Sequence, residues 1–399
     1  MTTSSSMSVD TCTACGASTI RSFVHIANVP IHCNLLWPNR DAALTAPRGE
    51  ITLAFCEACG HVFNRTFDPV LMEYTQAYEN SLHFSPRFQQ YADALAVRLV
   101  ERYGIRNKDV IDVGCGKGDF LAMVCEHGNN RGFGFDPSYV PENMAPEKAA
   151  RMTIVQDFYS SKYAGTKADL ITCRHVLEHI RQPREFVRNV RETVGERMNT
   201  IVFFEVPNVM YTLKDLGIWD LIYEHCSYFS VPSLREVFRA CGFTVKELHE
   251  LYEGQFLGID TVAASRAGTG LDPATREDVR VVDGFVRTFS DEYAAKVTLW
   301  KGRLHTWNAA KKKVAVWGGG SKGVTFLNVL QPGETVGCMV DINPRKQGMF
   351  VSGTGQAVVG PEYLKTYKPD VVIIMNPVYR EEIAAQLAGL GVSAEVLIA

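Results

Sequence analysis

Three groups of residues have side chains whose types and spacing can do chemistry. Cys12-Thr13-Ala14-Cys15 and Cys56-Glu57-Ala58-Cys59 are both C-x-x-C, each followed by a glycine, Gly16 or Gly60. A two-residue spacer lets both thiolates of a pair bend onto one ion about 2.3 Å away, and the glycine permits the tight turn that aims main-chain N–H groups at the sulfurs. Two such knuckles complete a tetrahedron, so Cys12, Cys15, Cys56 and Cys59 are expected to hold a structural zinc, with His25, His32 and His61 not needed as ligands. The second group is Asp112-Val113-Gly114-Cys115-Gly116-Lys117-Gly118, a glycine-rich turn whose backbone can pass close to a ligand. The third runs from Tyr223 to Ser230, where His225 has the ordinary pKa of a general base and Glu224 stands beside it to orient it or keep it basic.

Regular elements must position these groups. Val110 to Val113 is an apolar run entering the glycine turn and a helical pattern follows it, which predicts strand, loop and helix. The next strand, Gly132-Phe133-Gly134-Phe135, ends at Asp136, where a carboxylate can take both hydroxyls of a ribose. Asp157 and Phe158 offer a polar group and an apolar face suited to an adenine. Asp169 to Cys173 and Ile201 to Asn208 read as the fourth and fifth strands. Strands alternating with helices predict a doubly wound parallel sheet with ligands at the carboxyl ends of its strands. Thr52 to Phe55 reads as a short strand carrying the second cysteine knuckle.

The 399 residues, with 41 Lys+Arg against 44 Asp+Glu and a net charge of -3, imply no polyanion-binding surface and length for two or three domains. An apolar share of 46% excludes disorder as the main state, and no apolar run is long enough to span a membrane. The Ser/Thr-rich start and scattered single cysteines fit a reduced, cytoplasmic protein. Residues 1–65 lack the basic stripe with interleaved aromatics that would grip nucleic acid.

D-x-G-x-G-x-G, an acidic residue ending the second strand, and Asp169-Leu170-Ile171-Thr172-Cys173 leading to His175-Val176-Leu177-Glu178-His179 resemble a class I S-adenosylmethionine-dependent methyltransferase. The resemblance implies that Gly114 and Gly116 face the methionine part, with Gly118 completing the loop. Asp136 would hold the ribose, and Asp112 would support the loop or the methionine ammonium. Cys173 and His175 at the end of the fourth strand fall in the same cofactor set. His175-Val176-Leu177-Glu178-His179 is also H-x-x-E-H, an inverted zinc-peptidase pattern. It follows a buried strand of a cofactor-binding sheet, which is the wrong context for a peptidase, and leaves His179 either facing the cleft or packed.

The cysteine pairs, the methyltransferase core and the Glu-His cluster occur in the same order in the zinc-containing sugar C-methyltransferases acting on nucleotide-linked keto-deoxysugars, which this chain resembles over its whole length. That resemblance implies three parts: a zinc-ribbon module at 1–70, a Rossmann-like methyltransferase domain at 71–262 and a C-terminal half-Rossmann α/β domain at 263–399. It nominates Tyr78 as an active-site phenol. Two departures stand out: Ile222-Tyr223-Glu224-His225 replaces Tyr-x-Glu-His, moving a phenol to Tyr223, and Met375-Asn376-Pro377-Val378-Tyr379 replaces a leucine-proline-tryptophan-asparagine signature. His225 is expected as base, with Tyr78 or Tyr223 as donor to the enolate oxygen.

A Gly/Ala/Ser/Thr-rich linker from Ala263 to Thr275 and a long helical pattern from about Arg276 to Ala310 precede Gly318-Gly319-Gly320-Ser321-Lys322-Gly323, with a following strand ending at Asp341. Taken alone this is a dinucleotide fingerprint, so an NAD-dependent oxidoreductase using Gly318, Gly320 and Gly323 is a rival. The whole-chain resemblance instead implies a cap with Lys322 available to a diphosphate, Asn208, Asn376 and Tyr379 lining the cleft, and Lys346 either a further phosphate contact or part of a solvated basic turn. The other readings are methylation of oxygen or nitrogen on the same architecture and a non-enzymatic scaffold. A monomer acting on a small molecule, without nucleic-acid or membrane partners, is expected.

Overall fold

The computed structural model describes residues 9–72, 83–140 and 150–399. Tyr78 lies outside the described residues. Among them are three sheets: an antiparallel one of four strands, a mixed one of seven and a parallel one of five.

The seven-stranded sheet begins where Val110 and Ile111, both fully buried, drive a short strand into the core. It contains β4 (Asp109–Val113), β5 (Arg131–Phe135), β6 (Met152–Val155), β7 (Leu170–Arg174) and β8 (Ile201–Pro207), all parallel, then β10 (Phe243–Leu251) and β11 (Phe256–Ala263). Its order is β10-β11-β8-β7-β4-β5-β6. The expectation of an all-parallel sheet is corrected at one strand. β11 runs antiparallel to β8, because Tyr252, Glu253 and Gly254 take positive φ and turn the chain back in a tight hairpin from β10. Helices Pro86–Tyr103 and Asp119–Gly128 pack one side of β4, with Leu95, Leu99, Leu121 and Val124 in one apolar cluster. Helices Pro183–Val194 and Val231–Ala240 cover the other.

The N-terminal sheet is built from β1 (Ile20–Pro30), β2 (Arg48–Cys56) and β3 (Val62–Asn64), and its fourth strand is β9 (Ser227–Tyr228), contributed by the segment after β8. The cysteine module is therefore completed by residues more than 150 positions downstream, next to the Glu-His cluster.

The five-stranded sheet has the order β14-β13-β12-β15-β16, all parallel, from β12 (Val314–Trp317), β13 (Val336–Val340), β14 (Ala357–Val359), β15 (Val371–Ile374) and β16 (Glu395–Ile398). A 37-residue helix, Pro273–Ala309, leads into it and is about 55 Å long. Phe289, Trp300 and Leu304 of that helix share one apolar cluster with Ile51 and Leu53 of the N-terminal sheet, Trp219, and Phe326 of helix Ser321–Leu330. No helix among the described residues is long and apolar enough to cross a membrane.

Ser230 joins two of these units. Its side chain accepts the Ser233 N–H in a capping box at the start of helix Val231–Ala240 and donates to the Gly60 carbonyl of the second knuckle at 2.8 Å. Ser230→Ala should destabilise the protein by about 1–2 kcal/mol, read as a lowered midpoint in thermal or urea unfolding.

Candidate functional site

The glycine loop lies at the carboxyl ends of the adjacent strands β4, β5 and β7. Gly114, Gly116 and Gly118 take φ of +70°, +54° and +78°. A side chain on Gly114 would sit 2.2 Å from Val176 Cγ2, whereas one on Gly116 would meet nothing within 4 Å. The loop thus packs tightly on one side and borders open space on the other. Asp136 Oδ2 accepts the Gly116 N–H at 2.8 Å, and its Oδ1 accepts from the Ser138 N–H and hydroxyl. These bonds fix the carboxylate at the tip of β5 beside the loop. Asp112, 3% exposed, accepts the Thr172 hydroxyl at 2.7 Å. Burial lifts its carboxyl from 3.8 to about 6 against that opposing hydrogen bond. Loop, buried carboxylate and tip carboxylate fit a bound S-adenosylmethionine: space for its methionine part, acceptors for an ammonium and for ribose hydroxyls.

Asp157 accepts from the Tyr163 hydroxyl and from Lys162, which together hold its carboxyl down at about 2, and Phe158 beside it is 67% exposed. Cys173 requires a correction. Its thiol is buried in the apolar cluster with Ile171 and Val202, so that side chain is part of the packing. His175 takes a left-handed φ of +54° at the end of β7, and its Nε2 lies 2.8 Å from Glu205 Oε1. Although burial opposes its charge, contacts with Glu178 and Glu205 push its pKa up to about 9. Glu205, fully buried in β8, also accepts from Arg174 and from the Tyr91 hydroxyl. The sequence reading missed this network. Its only signal was a glutamate inside the apolar run Ile201 to Val206.

His225 and His179 come together. Their rings are 4.9 Å apart at 75°, and Glu178, His179 and His225 place ligand-type atoms within 4.8 Å of one another. His225 is 8% exposed; burial, reinforced by His179, His175 and Lys322, holds its pKa well below 6.5. The expected link from Glu224 to His225 takes another form. Glu224, fully buried, accepts the main-chain N–H groups of Cys33 at 2.6 Å and Asn34 at 3.3 Å, while its carbonyl accepts from His179 Nδ1 at 3.0 Å. The carboxylate anchors the segment to the N-terminal module, and its main chain orients the neighbouring histidine. Tyr223 is corrected as a phenol donor: its hydroxyl accepts the Asp68 N–H at 2.9 Å and bonds the Asp68 carbonyl, with the ring buried against Gly49 and Phe67.

The residues expected to line the substrate side are mostly engaged in structure. Asn208 caps a short helix through the Met210 N–H and donates to the Gly254 carbonyl, which ties β8 to the hairpin. Asn376 and Gln255 exchange two amide bonds of 2.8 and 3.0 Å across the central and C-terminal parts. Tyr379 packs near Tyr252. Lys322 is paired with Asp220 at 3.0 Å. Lys346 does not sit in a solvated turn: it is 5% exposed and donates to the Gly319 carbonyl. In the C-terminal loop Asp341 accepts the Gly319 N–H at 2.9 Å and the Asn343 N–H at 2.8 Å, repeating the Asp136 arrangement. There, however, the Lys346 ammonium lies 3.8 Å from the carboxylate and serves as its internal counter-charge.

Cys12 and Cys59 sulfurs are 3.7 Å apart, those of Cys15 and Cys56 3.6 Å, and all four lie within 4.8 Å. A zinc–thiolate tetrahedron has edges of about 3.8 Å, so the cluster fits that ion closely. The Gly16 and Gly60 N–H groups close both turns on the Cys12 and Cys56 carbonyls.

Residues 85–248 match the family model of a methyltransferase domain, and residues 280–396 match that of a C-methyltransferase C-terminal domain. The chain is an S-adenosylmethionine-dependent methyltransferase. The methyltransferase is 24% identical to the C-methyltransferase NovU of Streptomyces niveus over 396 residues, 94% of this chain and 91% of that one. It is 32% identical over 111 residues to the ubiquinone biosynthesis O-methyltransferase of Escherichia coli O127:H6, an alignment covering 26% of this chain and 45% of that protein's length. Among solved structures, magnesium protoporphyrin IX methyltransferase from Synechocystis PCC 6803 aligns with a TM-score of 0.35 and 17% identity, over 45% of this chain and 84% of that one.

Asp112 carries a stability cost in this methyltransferase. Its folded pKa, about 6, lies above the ordinary 3.8, so the folded state binds more protons between those values and loses stability as the pH rises through them. Asp112→Asn should therefore raise stability at pH 7.5 by on the order of 1–3 kcal/mol, with the gain shrinking toward pH 4, while calorimetry shows weaker binding of S-adenosylhomocysteine.

Proposed function

We propose that this methyltransferase acts on carbon, at the position beside a ketone in a nucleotide-linked deoxysugar or a similar small molecule, with His225 as general base. The observation that carries the reading is the meeting of His225, on the segment that follows β8, with Glu178 and His179, which follow β7. The C-methyltransferase C-terminal domain and the full-length similarity to NovU support it.

Bound at Gly114 to Gly118 and Asp136, S-adenosylmethionine supplies an already activated methyl group. What remains for the protein is to make a carbon nucleophilic, which requires removing a proton beside the ketone and stabilising the oxygen where charge develops. Because its pKa is depressed, His225 stays neutral and ready to accept that proton at physiological pH. His179 donates its Nδ1–H to the Glu224 carbonyl, so its neutral form keeps the lone pair on Nε2, beside His225, as the next stop for the proton. Tyr78 is our candidate donor to the enolate oxygen. The cap formed by β12 to β16 would close over the acceptor, with the Lys322–Asp220 pair at its edge; a diphosphate would have to compete with Asp220 for that ammonium.

Similarity to an O-methyltransferase over the central segment sustains a second reading, transfer to oxygen with the same imidazole. Incubating a panel of nucleotide-linked ketosugars with the enzyme in deuterated water separates the two. Carbon methylation predicts exchange of the hydrogen beside the ketone without cofactor and a methyl on that carbon by mass spectrometry; absence of both would refute it. His225→Asn should lower kcat by about 10²–10⁴-fold and abolish the exchange while leaving S-adenosylhomocysteine affinity unchanged. Because the base works in its neutral form and its pKa is depressed, kcat should stay flat through neutral pH and its acid limb should lie below 6.5.

The cysteine tetrad is assigned a structural zinc with no open coordination position. Cys56→Ser should lower both zinc content, measured by atomic emission, and the thermal midpoint.

A further inference from the structure

The H-x-x-E-H stretch brings its glutamate and second histidine against His225. We propose that Glu178, His179 and His225 form a second, exchangeable site for a divalent transition ion such as Zn²⁺ or Co²⁺, separate from the cysteine tetrad, and that an ion bound there blocks the enzyme by occupying the base.

Four observations support it. Two imidazoles and one carboxylate offer ligand atoms within 4.8 Å of one another, a donor set suited to zinc, cobalt or iron with positions left for water. Glu178, 1% exposed, has Oε2 buried without a hydrogen-bond partner, while Oε1 lies 3.5 Å from His175 Nδ1. His225 Nδ1 is likewise buried without one. Finally, His179 gives its Nδ1–H to the Glu224 carbonyl, the kind of outer hydrogen bond that metal-ligating histidines make to fix the ring. Two unsatisfied buried polar atoms cost free energy that a cation or a substrate group would relieve. The nearby Lys322 ammonium is offset by Asp220 at 3.0 Å, so it leaves little net charge to repel an ion. The tetrad is composed wholly of sulfur, so the two sites differ in spectrum and in affinity.

Ion binding itself is independent of the acceptor; only the inhibition rests on His225 being the base. Full-length protein holding its tetrad zinc is titrated with Co²⁺ alone, followed by calorimetry and visible absorption. One further equivalent should bind, with the d–d bands of nitrogen and oxygen ligands and no sulfur-to-cobalt charge-transfer band. Glu178→Gln, His179→Gln and His225→Asn should each weaken it about tenfold or more, with folding of each variant verified by retained S-adenosylhomocysteine binding. Methyl transfer should fall in step with saturation and return when a weak chelator removes the ion. The site is refuted if no extra equivalent binds, if a sulfur band accompanies it, or if the substitutions leave its affinity unchanged. Saturation without loss of methyl transfer would overturn the inhibitory role. A protein that binds Co²⁺ here but methylates no ketosugar would sustain the site while refuting the function proposed above.

Discussion

The buried carboxylate of Glu224 is the constraint on which the site depends. A fully desolvated charge costs several kcal/mol unless it is hydrogen-bonded, and Glu224 meets that need with the N–H groups of Cys33 and Asn34 from the N-terminal module. The backbone on either side is then fixed: its carbonyl points at His179, His225 follows at the next position, and Ser227–Tyr228 enters the N-terminal sheet as β9. A segment belonging by sequence to the methyltransferase domain is held in place by the cysteine module. In this fold the module therefore positions His225.

Two glycine loops in the chain end in the same bond. Asp136 grips the Gly116 N–H and Asp341 grips the Gly319 N–H, each at the tip of the second strand of a parallel unit. Their surroundings differ. Gly116 faces open space beside a carboxylate that pairs with no lysine among the described residues, whereas Asp341 has the buried Lys346 ammonium nearby. A carboxylate already balanced from within has less to offer a ribose, which favours the first loop as the cofactor site and the second as a packing element.

Much of the site could be read from the sequence because local rules govern it. Glycines needed at positive φ, an acidic residue ending a strand and two-residue cysteine spacers are all short-range signals. What could not be read depended on distant partners or on direction. Apolar patterning does not say which way a strand runs, so the expected parallel sheet gave no sign of the antiparallel β11. Two residues are too few to show a period, so β9 gave no signal. Lys322 and Asp220 stand far apart in the chain, and nothing local announces their pairing. Tyr223 shows how sensitive the pattern is: one position of displacement from the sugar-enzyme motif turns the phenol onto Asp68 and Gly49. Glu178 stands out in the sequence as part of the methyltransferase-like and peptidase-like stretch, and nothing there announces its meeting with His225, which is made by tertiary packing.

The strand contributed by Ser227–Tyr228 also bears on how the protein is made. The four cysteines leave the ribosome early, but the sheet that carries them stays one strand short until residue 228 follows. At ordinary rates of synthesis that delay is about 10–30 s, during which the thiols and the apolar face of β3 are exposed to solvent. Metal capture by the nascent chain and protection from oxidation or mispairing would therefore compete in time, and the yield of correctly assembled protein would depend on how fast the ribosome moves through the central segment.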